Sequence, residues 1–142
     1  MINNKSINDY LNDYCKLRDR QYAVYTRYAK KHCLTTNELF VLDIIWFAKN
    51  GLTQKEICER LSMNKQTANA IINKFLKLGY VEFKEIETDR RNKNIVFTSV
   101  GKIYAENIIP PAANADNKAL EELSFYDIKK LVELTAKFTE SM

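Results

Sequence analysis

Apolar residues change their spacing twice along this chain, and the changes mark out its elements. They recur at Ile7, Leu11, Tyr14, Tyr25 and Tyr28 with polar residues between, a helical spacing that predicts one long first helix from about Ile7 to Lys31. Between Thr36 and Asn50 apolar residues dominate and Glu38, Asp43 and Lys49 are the main interruptions, so a second helix is predicted there, buried and central, with Gly51 as its stop. Thr53 and Glu56 then stand at capping-box spacing, with Leu52 and Ile57 placed as the two halves of a hydrophobic staple. A short helix from Gln54 to Leu61 follows. After the turn Ser62-Met63-Asn64, Asn64 is a good N-cap for a helix that ends at Leu78, with Gly79 just beyond it. Two short helices joined by a tight turn form a helix-turn-helix candidate.

The period next falls to two. Val81 and Phe83 alternate with Glu82 and Lys84, and Ile95 and Phe97 alternate with Val96 and Thr98. A β-hairpin is predicted, with the polar stretch Glu87 to Lys93 as its charged tip. Thr98 caps a helix running toward Ile109, and Pro110-Pro111, which have no N–H to donate, end or bend it. Ser124 and Asp127 open a last helix whose stripe is Ile128, Leu131, Thr135 and Phe138. The fold class is mainly α with one small β-hairpin.

Composition narrows the function. Hydrophobic residues make up 46% and charged residues 28% of 142, the balance of an ordinary globular chain that forms one folding unit. Cys15, Cys33 and Cys58 are odd in number and lack C-x-x-C spacing, which argues against a disulfide framework and a zinc site. His32 beside Cys33 is the sole histidine and has no further ligands at useful spacing, so no metal and no cofactor is expected. The polar N-terminus and the interrupted apolar runs predict neither a signal peptide nor a membrane span, and the expected location is cytoplasmic. There is no phosphate loop, no G-x-S-x-G and no triad context for the histidine, so an enzyme is not expected.

Charge matters by position more than by sum. The net charge is only +4, but between Ser62 and Asn94 seven basic residues face four acidic ones. At about 100° per residue, the helix after Asn64 gathers Ala68, Ile71, Ile72, Phe75 and Leu78 on one face, and Gln66, Asn69, Ala70, Asn73 and Lys77 on the other. Asn and Gln amides match the donor and acceptor pattern of adenine in the major groove, and a small Ala70 permits close approach. Gln66 and Asn69 are the candidate base contacts, with Asn64, Thr67 and Asn73 beside them. Lys65, Lys74 and Lys77 are placed to meet phosphates.

The segment Asp89-Arg90-Arg91-Asn92-Lys93-Asn94-Ile95-Val96-Phe97-Thr98-Ser99-Val100-Gly101 reads as D-x-R, then a strand, then T-x-x-G. With it, the chain from about Leu34 to Phe138 resembles the MarR family of winged-helix regulators. The family's recognition-helix pattern S-R-S-T-V-S-R-L-V-D-R-L is followed loosely by Asn64 to Phe75, with Ala70 where the family often has Arg and Asn73 where it often has Asp. The resemblance implies a single chain over 1–142, with a winged helix-turn-helix at 34–98 and dimerisation helices at 1–33 and 99–142. It implies a homodimer that binds pseudo-palindromic double-stranded DNA as a transcription regulator, a repressor released by a small ligand. By the same resemblance Arg91 enters the minor groove, oriented by Asp89, with Arg90 as the local alternative and Lys93 adjacent. It also implies a small aromatic or lipophilic effector, for which Tyr22, Tyr25, Tyr28, Trp46 and Phe47 are the candidate lining.

Two alternatives are set against this reading. One is a thiol-based redox sensor acting through Cys15. Alignment through Leu34-Thr35-Thr36 instead puts Leu11 at the family's sensing position. The other is a winged-helix module for protein contact without DNA binding.

Overall fold

The computed structural model describes residues 4–142. Seven helices and one hairpin follow in the order α1 (Ile7–Lys31), α2 (Thr36–Phe47), α3 (Gln54–Leu61), α4 (Lys65–Lys77), β1 (Val81–Ile86), β2 (Asp89–Phe97), α5 (Ser99–Glu106), α6 (Ile109–Glu121) and α7 (Phe125–Glu140). The chain divides into two compact units, one reaching to Lys102 and the other running from Ile103 to Met142.

Capping chemistry sets the helix starts. Ser6, Thr35 and Thr53 each accept the backbone N–H of an acidic residue three positions on, which returns a carboxylate to the cap's own N–H. Two N–H groups without helical partners are thereby satisfied at each start. At the end of α4 the N–H of Tyr80 reaches the carbonyl of Phe75 at 2.9 Å and that of Gly79 reaches Leu76 at 3.0 Å. Gly79 has φ +73°, so this is a Schellman stop with glycine where a Cβ would be strained.

The core of the first unit lies around α2. Leu39, Val41, Leu42, Ile44 and Ile45 of α2 are buried with Ile57 of α3, with Ala68, Ile71, Ile72 and Phe75 of α4, and with Val81 and Ile95 at the base of the hairpin. A helix apolar nearly all round needs neighbours on every side, and α1, α3 and β2 supply them. Leu52, in the α2–α3 connection, bridges antiparallel to Ile95, with hydrogen bonds of 3.2 and 2.8 Å. The wing is therefore tied at its base to the chain entering α3.

Several expectations change. Helix α2 stops at Phe47 and not at Asn50, because Ala48 turns extended (φ −84°, ψ 114°) to carry the chain toward the bridge at Leu52. Leu78 is the C-cap of α4 and is exposed, so it does not join the packing face. The hairpin turn is confined to Glu87-Thr88, and strand β2 already begins at Asp89. Helix α5 ends at Glu106, short of Ile109, and the two prolines fall in the first turn of α6. In a first turn a missing N–H costs nothing, since those groups lack helical partners.

In the second unit α7 has no buried residue. Phe125 is 84% exposed, and Tyr126, Leu131, Val132, Leu134 and Phe138 are exposed with it. Along α1 the exposed apolar residues include Ile7, Tyr10, Leu11, Leu17 and Val24.

Candidate nucleic-acid interface

Helix α4 separates its two faces as its sequence predicts. Ala68, Ile71, Ile72 and Phe75 are buried, while Lys65, Gln66, Asn69, Ala70, Asn73 and Lys77 are exposed and Thr67 is half-buried. Asn64 is occupied locally, its Oδ1 accepting the Thr67 N–H at 2.8 Å. Its part is to start the helix, which sets where the polar face begins.

Lys74 is placed differently from the other lysines. Its Nζ donates to Oε1 of Glu38 at 2.8 Å, so its charge is already matched by a carboxylate of α2. Glu38 went unnoticed as a functional residue in the sequence, although Thr35 and Glu38 carry the same capping-box spacing as Thr53 and Glu56.

The wing presents its basic residues through a break in strand register. Ile86 pairs with Asp89 and Glu85 pairs with Lys93, so Arg90, Arg91 and Asn92 stand opposite no residue of β1. Such a bulge lifts side chains off the ladder and re-aims them. Asp89 holds it in shape, with Oδ1 accepting the backbone N–H of Arg91 at 3.0 Å and Oδ2 accepting Asn92 Nδ2 at 2.8 Å. The Asn92 amide first, then the Arg91 N–H, keeps the Asp89 carboxyl below the usual aspartate range. Asp89 thus orients the Arg91 backbone rather than its guanidinium. Arg90, Arg91 and Lys93 are exposed, and none of them is in an ion pair among the described residues.

A cleft of about 280 Å³ lies between this bulge and the start of α3. Arg91, Asn92, Lys93 and Phe83 line it from the wing, and Thr53, Gln54 and Lys55 line it from α3. Gln54 and Lys55 were not singled out in the sequence. The Thr53 capping box marks them as the exposed first turn of a helix, and that was the available signal.

The T-x-x-G after the wing has a packing reason. Thr98 donates its hydroxyl to the Gly79 carbonyl and accepts the N–H of Gly101 at 3.0 Å. A Cβ on Gly101 would run into the Tyr80 carbonyl, so α5 can start against this strand entrance only with glycine there.

Residues 34–92 match a family model described as MarR family. The winged-helix segment of this chain is thus similar to the MarR family. Solved structures carry the likeness across the whole length. The transcription regulator MarR of Oenococcus oeni PSU-1 superposes with a TM-score of 0.74 at 18% identity, over 92% of this chain and 98% of that one. MepR of S. aureus, solved as a DNA complex, gives 0.73 at 17% identity over 96% and 99%. CouR of Rhodococcus jostii RHA1, bound to p-coumaroyl-CoA, gives 0.76 at 13% identity over 94% of each chain. At these identities the shared property is the MarR winged-helix fold. Comparison with curated protein sequences finds no match.

The five aromatic residues proposed to line an effector pocket do not gather in one place. Tyr22 and Tyr25 set their ring edges against Phe40, with centroids 6.4 and 5.8 Å away, while Tyr28 lies against His32 at 4.7 Å. Burial raises the pKa of the Tyr28 hydroxyl. Trp46 meets Phe97 and lines a cavity of about 430 Å³ with Ile45, Gly51 and Val96. Phe47 points into a separate groove of about 630 Å³ between α2 and α3. Cys15 and Cys58 are half-buried, Cys33 is exposed, and all three are free thiols. Among the described residues no three His, Cys, Asp or Glu side chains converge to hold a metal, and no helix is long and apolar enough to cross a membrane.

Proposed function

We propose that this chain is a transcription regulator that binds double-stranded DNA sequence-specifically as a homodimer, through α4 in the major groove and the wing in the adjacent minor groove. The observation that carries the reading is the exposed face of Gln66, Asn69 and Asn73, closed on its other side by a packed core, together with a wing whose out-of-register bulge carries Arg90 and Arg91 beside Lys93. Amides read base edges, whereas Lys65 and Lys77 meet phosphates and add affinity without sequence information. Arg91 enters the minor groove, where a narrow A·T-rich tract concentrates negative potential suited to a guanidinium. The DNA complex of MepR supports the partner.

Two such helices in a symmetric dimer sit about one DNA turn apart, roughly 34 Å, and call for a pseudo-palindromic site. A small aromatic or lipophilic effector that releases DNA, making the protein a repressor, completes the reading. The CoA thioester bound to CouR supports it, and the Trp46 cavity and the Phe47 groove are two spaces within the first unit beside the predicted lining residues.

Selection from a random duplex pool, followed by affinity measurements on the preferred site, tests the assignment. Gln66→Ala and Asn69→Ala are expected to cost about 1–3 kcal/mol there and to relax preference at individual positions. Arg91→Ala should lose most on A·T-rich flanks, with Arg91→Lys only a partial substitute because ammonium holds its water more tightly. If all three alanine variants keep the selected preference of the unmodified protein, α4 and the wing are not the DNA-binding surface and a protein-contact role replaces it.

A further inference from the structure

Glu38 is the one buried charged residue among the described residues, 7% exposed, and it does two jobs with two oxygens. Its Oε2 accepts the N–H of Thr35 at 3.1 Å, closing the cap of α2. Its Oε1 accepts Lys74 Nζ at 2.8 Å, across to the last turn of α4. A carboxylate withdrawn from water is tolerable only when such partners satisfy it, and removing one partner leaves the charge stranded. At about 100° per residue Lys74 projects from the flank of α4, beside half-buried Thr67 and away from Gln66, Asn69 and Asn73. Its side chain is 46% exposed, yet its ammonium turns inward to Glu38.

We propose that Lys74 is a positioning residue: through Glu38 it fixes the pitch at which α4 presents Gln66 and Asn69, and it makes no phosphate contact. The inference rests on the DNA-binding reading above. A lysine that neutralises a phosphate releases counterions and contributes to the salt dependence of binding, about 0.9 in the slope of log affinity against log salt. Lys74 is already neutralised by Glu38, so its removal changes the aim of the helix and leaves that slope alone. Removing Glu38's negative charge would, on electrostatics alone, tighten binding to any DNA. Positioning predicts the opposite on the preferred site.

The test measures affinity for the selected duplex across a salt series for Lys74→Ala, Glu38→Gln and the double variant, with thermal unfolding to confirm that each is folded. Both single variants are expected to lose about tenfold, with the salt slope unchanged. The double variant should bind no more weakly than Lys74→Ala, because an amide in place of Glu38 no longer leaves a stranded charge. Should Lys74→Ala fail to fold, Glu38→Gln carries the test alone, since weaker binding on removal of a negative charge has no phosphate-contact explanation. The proposal is overturned if Lys74→Ala lowers the slope by about 1, or if Glu38→Gln binds as tightly as the unmodified protein or more so. An unmodified protein that shows no salt-dependent duplex binding is a different result: it removes the DNA reading itself, and this inference with it.

Discussion

Two glycines about twenty residues apart do different physical work. At Gly79 a Cβ would meet open space, and only the left-handed backbone, φ +73°, resists substitution. Gly79→Ala therefore carries the conformational cost alone, about 1–2 kcal/mol. Gly101 is in an ordinary helical conformation, but its Cβ would strike the backbone carbonyl of Tyr80, which cannot swing aside as a side chain can. Gly101→Ala is expected to cost more, about 3 kcal/mol, as overpacking against a fixed neighbour does. Urea unfolding midpoints of the two variants rank these costs, and a milder loss at Gly101 would contradict the close approach of α5 to Tyr80.

At the scale of elements, much was legible because capping and periodicity act locally. Helices α1 and α3 begin and end where their spacing places them, and Asn64 and Gly79 bracket α4. What escaped the sequence was set by distant partners. The apolar run of α2 continues past Phe47, but Leu52 must reach Ile95, so pairing across the fold overrides helix propensity at Ala48. The alternation Val81, Phe83, Ile95, Phe97 reveals two strands, yet it cannot show that Arg90 to Asn92 fall out of register, since a bulge depends on how Asp89 folds back on the chain. For the candidate interface the polar face of α4 was readable from a helical projection. The commitment of Lys74 to Glu38 was not, because the two residues lie far apart in sequence and nothing local pairs them. Tyr22, Tyr25, Tyr28, Trp46 and Phe47 look alike on a helical net, but only the packed structure assigns them to Phe40, His32, Phe97 and an open groove.

For the whole molecule the informative quantity is apolar surface left uncovered. Ile7 is 85% exposed on α1, and α7 buries none of its side chains, a state that a single chain in water rarely sustains over two helices. A second copy of the chain is the occupant that the proposed function requires. Sedimentation at micromolar concentration should show a species of twice the 16.6 kDa chain mass. Removing the residues after Ser124 should abolish that species and DNA binding together, and a truncated chain that still dimerises would shift the contact to α1.

The bridge between Leu52 and Ile95 also bears on the order in which the first unit assembles. Helices α2, α3 and α4 form from contacts a few residues apart, whereas this pair closes a loop that contains the whole helix-turn-helix. Closing so long a loop is entropically slow, and its contacts reward the chain only after the helices within it have shortened the path. A molecule caught early in refolding thus has its three helices before it has a docked wing. Pulse-labelled amide exchange reads this directly: the N–H of Ile95, which bonds to Leu52 at 2.8 Å, should gain protection after the N–H groups of α4. Leu52→Ala should accordingly speed unfolding while leaving the folding rate nearly unchanged, the signature of an interaction absent from the transition state.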